Sequence, residues 1–437
     1  MKKNKASGRR FWTGVASVIL GVMAMGSEPA AWGQNAADGV VATNATARTP
    51  WLEQLQDLRL GPFDLHPRLV AGLAYDDNII LGTTNKEADV IWSAAPGFQA
   101  VAGDDAALIA YRDQHYDILS LAPDNIIVQD PAAWPGKLFI LDYSPHFQLY
   151  DRHGSNNFIG EAATMNLVWP AGSWVLGLSQ DYQLQKTGII EAGELTSSEA
   201  IATTLSAADQ LSEKTSVEGI FQRYSIKYGL PGLVGYTEWN NEDWFNYALA
   251  EKLPVSLGVR AGEDEVSSHR NQEFEQLLAR ARYSYTEKLV FDTSVGGELR
   301  QYENGHPETL SPVFTVTGSY WPAVRTTLSL TGYRRQYAAV FNDFNYASTG
   351  ANLDIRQGIT DRFTADLSLG YYDLEYIPLD SGSSTHTDGY YIAKITLEAK
   401  IARHLTGQIY YNFTKLAEPG GSDINDDRVA AQFSLGF

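Results

Sequence analysis

The residues that could carry chemistry are scattered along this chain and match no catalytic motif. The sequence contains no cysteine, which excludes disulfides, thiolate metal sites and cysteine nucleophiles. It also lacks the zinc-protease, serine-hydrolase, phosphate-binding and dinucleotide-binding signatures. We therefore expect no enzyme, and keep a membrane enzyme using Ser, His and Asp as the less favoured alternative. The histidines without a partner motif are His115, His146, His153, His269, His306 and His386.

Two acidic segments could hold a cation, but each has a simpler interpretation. Asp423-Ile-Asn-Asp-Asp427 begins like a calcium loop, yet Arg428 stands where the turn needs glycine and Ser434 where it needs a bidentate glutamate. Asp76-Asp-Asn78 could bind a cation or open a loop. We expect a solvated loop in both places, and therefore neither a metal site nor a cofactor.

Charged side chains recur at alternate positions of extended segments. Where Phe291 and Val295 face one side of a strand, Asp292 and Arg300 face the other. If such strands form a barrel that crosses a membrane, the charged face must line the interior of the barrel, its lumen. The reason is that a basic side chain facing lipid costs about 2–4 kcal/mol at the midplane. The lumen-facing basic candidates are Arg260, Arg280, Arg282, Arg300, Arg325, Arg335, Arg356 and Lys394.

Two hypotheses follow for this charged lumen. Many arginines on one wall would create a field that favours anionic solutes. Alternatively, carboxylates such as Asp354, Asp366 and Glu398 cross-brace the lumen by salt bridges and close it to solutes. Tyrosines predicted on the same face could stack against sugars or simply fill a wide barrel; they are Tyr333, Tyr372, Tyr390 and Tyr410.

The elements that would position these side chains are short alternating strands. In the last ten residues, Arg428 to Phe437, apolar side chains alternate with polar or small ones up to the aromatic carboxyl terminus. Many earlier segments alternate in the same way over about ten residues, the length of a tilted strand that spans a bilayer. Continuous apolar runs, typical of buried parallel strands, are not the rule here.

Short charged turns separate these strands at regular intervals. Leu249-Ala-Glu-Lys-Leu253, Tyr285-Thr-Glu-Lys-Leu289 and Ile359-Thr-Asp-Arg-Phe363 share one pattern, and their spacing suits one hairpin each. The sequence therefore predicts an all-β, antiparallel, up-and-down transmembrane barrel of about 18 strands, an even number as in bacterial barrels. If residues 103–136 added a hairpin the count would be about 20; we favour an insertion there.

The amino terminus predicts export. Basic residues precede an apolar stretch of about 15 residues, followed by small residues at cleavage spacing, so residues 1–33 are interpreted as a signal peptide. Residues 34–63 are predicted to be a periplasmic segment and 64–437 the barrel. The net charge of −19 disfavours nucleic-acid binding, which requires basic patches.

Several motifs resemble the outer-membrane family known as beta-barrel porin 2. They are His66-Pro67, Tyr75-Asp-Asp-Asn78, Trp239-Asn-Asn-Glu-Asp-Trp-Phe-Asn-Tyr247 and Thr286-Glu-Lys288, and the likeness covers roughly residues 60–437. The resemblance implies a porin-like barrel and, through its exopolysaccharide-associated members, a role in polysaccharide export.

Together these features predict a channel in the outer membrane of a Gram-negative bacterium, for polysaccharide or other anionic solutes. A structural or plugged barrel without transport is the alternative. The expected partners are outer-membrane lipid, polysaccharide-export components and the barrel-assembly machinery, which would recognise the carboxyl-terminal strand with Phe437 as its assembly signal.

Overall fold

The chain folds into one closed antiparallel barrel. The computed structural model describes residues 58–104, 107, 136–189, 193–267, 271–303, 308–339, 344–379, 384–418, 421 and 423–436. The predicted signal peptide, most of the periplasmic segment and Phe437 lie outside these residues. Among the described residues, no helix is long and apolar enough to cross a membrane.

Eighteen long strands form the wall, and one two-residue strand precedes them. They are β1 (Arg59–Leu60), β2 (Phe63–Asp76), β3 (Asp89–Gly103), β4 (Leu138–Tyr150), β5 (Phe158–Ala171), β6 (Trp174–Ile189), β7 (Glu194–Ser212), β8 (Thr215–Tyr228), β9 (Tyr236–Ala250), β10 (Leu253–Val266), β11 (Gln272–Thr286), β12 (Leu289–Tyr302), β13 (Thr309–Ala323), β14 (Thr326–Ala338), β15 (Phe344–Gly358), β16 (Phe363–Pro378), β17 (His386–Ala402), β18 (Leu405–Ala417) and β19 (Ile424–Gly436). A short 3-10 turn, Gly154–Asn156, lies between β4 and β5.

Each long strand pairs with its neighbours in sequence, and β19 pairs with β2 to close the barrel. The closing register places Leu435 opposite Leu69. Because β3 pairs directly with β4, the segment between them adds no hairpin to the wall. The predicted count of 18 strands is confirmed. Most of residues 103–136, interpreted from the sequence as an insertion, lie outside the described residues.

The two ends of the barrel differ. At one end the strands are joined by turns as short as residues 172–173 and 213–214, and both β2 and β19 reach this end. Short turns and the strand termini belong on the periplasmic side of bacterial barrels. Residues 77–88 therefore lie on the outer side, and β3 ends at Gly103 on the periplasmic side.

The outer surface carries the apolar half of each strand. Leu257, Leu277 and Ile409 project from the wall and are exposed, while their sequence neighbours face inward. Exposed aromatic side chains such as Trp169 and Trp321 lie near the periplasmic turns, where interfacial anchors are expected. A closed ladder with an apolar band is the arrangement that satisfies every backbone group in lipid, so the protein lies in the outer membrane of a Gram-negative bacterium.

A charge placed on this band should destabilise the barrel. The side chain of Ile409 is 59% exposed on the outer face of β18, whereas its neighbour Gln408 faces the lumen opposite Glu398. We expect Ile409→Arg to lower the free energy of unfolding from lipid vesicles by about 2 kcal/mol, and Gln408→Arg to change it far less. Equal losses for both variants in urea titrations would contradict this assignment of faces.

Candidate functional site

The lumen wall formed by β9–β14 concentrates charged side chains. Strand alternation turns Val259 and Leu277 outward, where they are exposed, and Arg260, Arg280 and Arg300 inward. Four of the predicted basic residues meet on this wall: Arg260, Arg280, Arg300 and Arg335. It is therefore the densest group of predicted site residues in the described part of the chain.

Arg300 forms the most deeply buried ion cluster of this wall. Its Nη1 donates to Asp264 at 2.6 Å and to the Gln272 amide oxygen at 2.9 Å, and its Nε donates to Glu298 at 2.7 Å. Its guanidinium also lies 4.9 Å from the centre of the Phe274 ring. Because two carboxylates already hold it, Arg300 braces the wall and has little freedom to bind a solute.

Arg260 and Arg335 share one carboxylate. Their guanidinium groups donate to Glu238 Oε1 at 2.8 Å and 3.3 Å. Arg335 belongs to β14 and Glu238 to β9, strands that are not neighbours in the sheet. This contact therefore crosses the lumen and joins two separated parts of the wall.

Arg280 occupies the centre of the same wall. It pairs with the buried Glu218, donates to Asn246 at 2.9 Å and lies 4.3 Å from the centre of the Trp244 ring. The Trp244 indole N–H in turn donates to Glu242 at 2.6 Å. Aromatic faces, amides and paired charges thus form one connected network.

The other predicted basic residues lie apart from this network. Arg282 is half exposed and lies 3.6 Å from Asp292, and Arg356 lies 3.7 Å from Asp366 on another part of the wall. Lys394 stands over the ring of Tyr410 at 5.0 Å.

The prediction that Arg325 faces the lumen is wrong. This residue lies in the turn between β13 and β14, exposed at the periplasmic end, where it pairs with Asp361 of the turn between β15 and β16. The alternating pattern continues up to the charged turn, so the sequence does not mark where the strand ends.

The predicted tyrosines lie on β14, β16, β17 and β18. Tyr333, Tyr372 and Tyr390 form a row with ring centres 5.8 Å and 6.1 Å apart. Tyr410 belongs to a separate cluster that includes Ile79 and Tyr150. All four are buried, so in this state they fill the lumen.

Residues 77–88, here called the inner loop, fold back into the lumen. Within this loop, the backbone of Leu81 has a φ of 53°. This left-handed conformation is rare and strained for leucine. The Leu81 side chain is buried in an apolar cluster. The other members of that cluster are Tyr333, Tyr372, Leu374, Tyr376, Tyr390, Leu416 and Ile424.

Asn78 anchors the inner loop. Its side-chain amide donates to the carbonyl oxygens of Gly82 at 3.0 Å and Asn425 at 2.7 Å, and its carbonyl accepts from the Gly82 N–H at 2.8 Å. Sequence reasoning placed a loop at this position but did not predict that it enters the barrel. The burial of Asn78 and the left-handed conformation of Leu81 have no signal in the sequence.

The acidic groups near this loop act as braces. Asp76, Asp77 and Asp426 bring carboxylate oxygens within 4.8 Å of one another, the one such grouping among the described residues that could hold a cation. Asp77 already pairs with Lys86 at 2.7 Å and accepts from the Asp427 N–H at 2.8 Å. Strand alternation separates the Asp426 and Asp427 side chains onto opposite faces of β19, so these two cannot serve as adjacent ligands of a calcium loop.

His153, at the outer rim, lies between two carboxylates. Its two ring nitrogens contact Asp89 at 2.8 Å and Glu87 at 2.9 Å. A histidine acting as general base needs one ring nitrogen facing a nucleophile. Both nitrogens of His153 are occupied by carboxylates, so this group fixes the end of the inner loop to the β4–β5 connection.

The lumen contains a cavity of about 830 Å³. It is bounded by β7 to β14 and extends to Glu213 and Lys214 in a periplasmic turn. The network of Trp244 and Arg280 lies in its wall. The cavity therefore reaches the periplasmic end of the lumen, while the inner loop lies in the outer part of the barrel.

Comparison with known proteins finds solved structures of low similarity. No protein-family model and no curated protein matches the chain. Among solved structures, OccAB4 of Acinetobacter baumannii is 10% identical over 85% of this chain and 98% of its own, with a TM-score of 0.44. OpdK of Pseudomonas aeruginosa with vanillate is 10% identical over 86% and 99%, with a TM-score of 0.43. The P. aeruginosa siderophore receptor PirA is 10% identical over 85% and 80%, with a TM-score of 0.41.

The buried and exposed arginines should differ in their importance for stability. We expect Arg300→Ala to lower the free energy of unfolding by about 3 kcal/mol or more, because Glu298 and Asp264 would remain buried without their partner. Arg282→Ala, which removes a half-exposed pair, should cost less than about 1 kcal/mol. Urea unfolding from vesicles measures both, and a larger loss for Arg282→Ala would contradict the assignment.

Proposed function

We propose that this protein is an outer-membrane channel that passes polysaccharide, and that the described state is closed on its outer side. The observation that carries the proposal is the cavity of about 830 Å³ that reaches the periplasmic end of the lumen. Its position suits entry of a solute from the periplasm. The inner loop, anchored by Asn78, occupies the outer part of the lumen.

The lining of the cavity favours a sugar-like solute. Side-chain amides of Gln222, Asn240 and Asn246 face it together with the aromatic rings of Tyr224 and Trp244. Amides both donate and accept hydrogen bonds, which matches the hydroxyl groups of a glycan. Aromatic faces complement the apolar faces of pyranose rings.

The balance of charge in the lining favours a neutral chain over a small anion. The inward arginines there are Arg260, Arg280, Arg282 and Arg335, and each has a carboxylate partner on the wall. The carboxylates on the same wall are Glu218, Glu238, Glu242 and Asp292. Opposite charges held this close cancel each other's field at a distance, so the anion-selective alternative has less support.

Membership of the beta-barrel porin 2 family, polysaccharide-export components as partners and recognition by the barrel-assembly machinery belong to this proposal. They are supported by the sequence resemblance and by the carboxyl-terminal strand, which closes the barrel against β2.

Planar-bilayer recording tests the proposal. We expect single-channel openings with weak ion selectivity and current blockades when a neutral oligosaccharide is added on the periplasmic side. Glu238→Gln should shift the reversal potential toward chloride, because Arg260 and Arg335 would lose their shared carboxylate. Glu275→Gln removes the same charge from the outer face of β11 and is the matched control.

The alternatives give different results in the same recordings. Strong chloride preference of the unaltered protein would support an anion channel. Absence of openings in every variant, together with retention of neutral dextran fragments inside vesicles, would support a plugged barrel.

A further inference from the structure

The wall of the barrel is split between β13 and β14 on its outer side. These strands pair from Ala323 and Thr326 only as far as Phe314 and Arg334. Beyond that point β13 continues to Thr309 and pairs with β12 alone. In the described part of the chain, β14 beyond Arg334 pairs with β15 alone.

The freed end of β14 and β15 lies inside the barrel. We call residues 335–339 and 344–348 the β14–β15 tip. Gln272 of β11 and Asn345 exchange two side-chain hydrogen bonds, of 2.6 Å and 2.5 Å. Ala338 packs with Val266 of β10 and with Val234. Gln272 and Val266 lie on the inner side of β11 and β10, and Val234 lies in the connection between β8 and β9. The tip therefore curls into the lumen and rests against the inner face of the wall.

The face of the tip that alternation assigns to the outer surface of the barrel is buried. Alternation with the exposed Leu330 predicts that Gln336 and Ala338 face the outer surface of the barrel. Instead Gln336 is 2% exposed and Asn345 and Ala347 are completely buried. Side chains positioned for the outer surface are therefore covered by the inner wall of the same barrel.

The two unpaired stretches match each other in length and register. Continuing the observed register would pair Val313 with Arg335 and Leu310 with Ala338. Leu310 is 78% exposed, as expected at a strand edge with no neighbouring strand. Pro312 lies on the same edge and has no N–H, so a tip paired with β13 would form one ladder hydrogen bond fewer at this position.

We propose that the β14–β15 tip is the gate of the channel, with a tucked position that blocks the outer lumen and a paired position on β13 that opens it. The inference rests on the proposed channel function. Moving the tip onto β13 would close the split in the wall and release Glu238 from Arg335. It would also remove Phe344 and Tyr346 from the apolar cluster around Leu81, so the support of the inner loop weakens in the same movement.

Engineered disulfides test the two positions directly, because the natural chain contains no cysteine. Val266→Cys with Ala338→Cys should trap the tucked position, since these side chains are in contact. Leu310→Cys with Ala338→Cys should trap the paired position. Thr317→Cys with Thr331→Cys joins β13 to β14 below the split, where the two hydroxyls are 3.0 Å apart, and is the control for oxidation.

We expect all three pairs to cross-link, as measured by gel mobility with and without reductant. In bilayers the oxidised 266/338 pair should lower open probability at least about tenfold, reversibly. The oxidised 310/338 pair should raise it, and the 317/331 pair should leave it unchanged. The gate is refuted if the 310/338 pair fails to cross-link while the control forms completely, or if trapping either position leaves open probability unaltered.

The cross-linking result separates this inference from the channel itself. If the 310/338 pair forms but no variant conducts, the tip moves and the channel proposal fails. If the protein conducts but only the 266/338 and 317/331 pairs form, the channel stands and the tip is a fixed constriction.

Discussion

Every other feature of this protein depends on the need to pair backbone N–H and C=O groups where no water is present. The chain meets that need by bonding each long strand to two neighbours and by bonding β19 to β2. Once the ladder is closed, side chains have only two directions, toward lipid or toward the lumen. The ladder therefore fixes the side of each residue before packing is considered.

The split between β13 and β14 respects the same constraint. It begins at Arg334, which faces outward and pairs with Glu375 at 3.0 Å. An outward ion pair marks the polar level of the outer leaflet, where head groups and water can satisfy free backbone groups. The wall is thus continuous at the level of the hydrocarbon and opens only where an unpaired strand edge costs less.

The lumen obeys a second constraint, the cost of removing charges from water. Arg300, Asp264 and Glu298 are almost inaccessible and are stable together only because their charges and hydrogen bonds are matched. An 18-strand barrel is wide, so its interior must be hydrated or filled. Here the inner loop and the β14–β15 tip fill the outer half, and the strained φ of Leu81 is maintained by the apolar cluster that receives its side chain.

Sequence reasoning found the arginines of the lumen but not their partners. Alternation is local, and it placed Arg260, Arg280 and Arg300 on one face of their strands. The partner of Arg335 lies 97 residues away in sequence, and only the curvature of the wall brings the two together. Arg325 was placed in the lumen because alternation carries no signal for the end of a strand; the turn holds it outside.

The sequence by itself determined the number of strands, the side of most residues and the strand that closes the barrel, because these follow from a period of two and from turns that recur at regular intervals. Tertiary structure alone decided what occupies the lumen. Whether the inner loop and the β14–β15 tip turn inward depends on contacts such as those of Asn78 with Asn425 and of Gln272 with Asn345. Those contacts join residues far apart in sequence, and no local pattern specifies them.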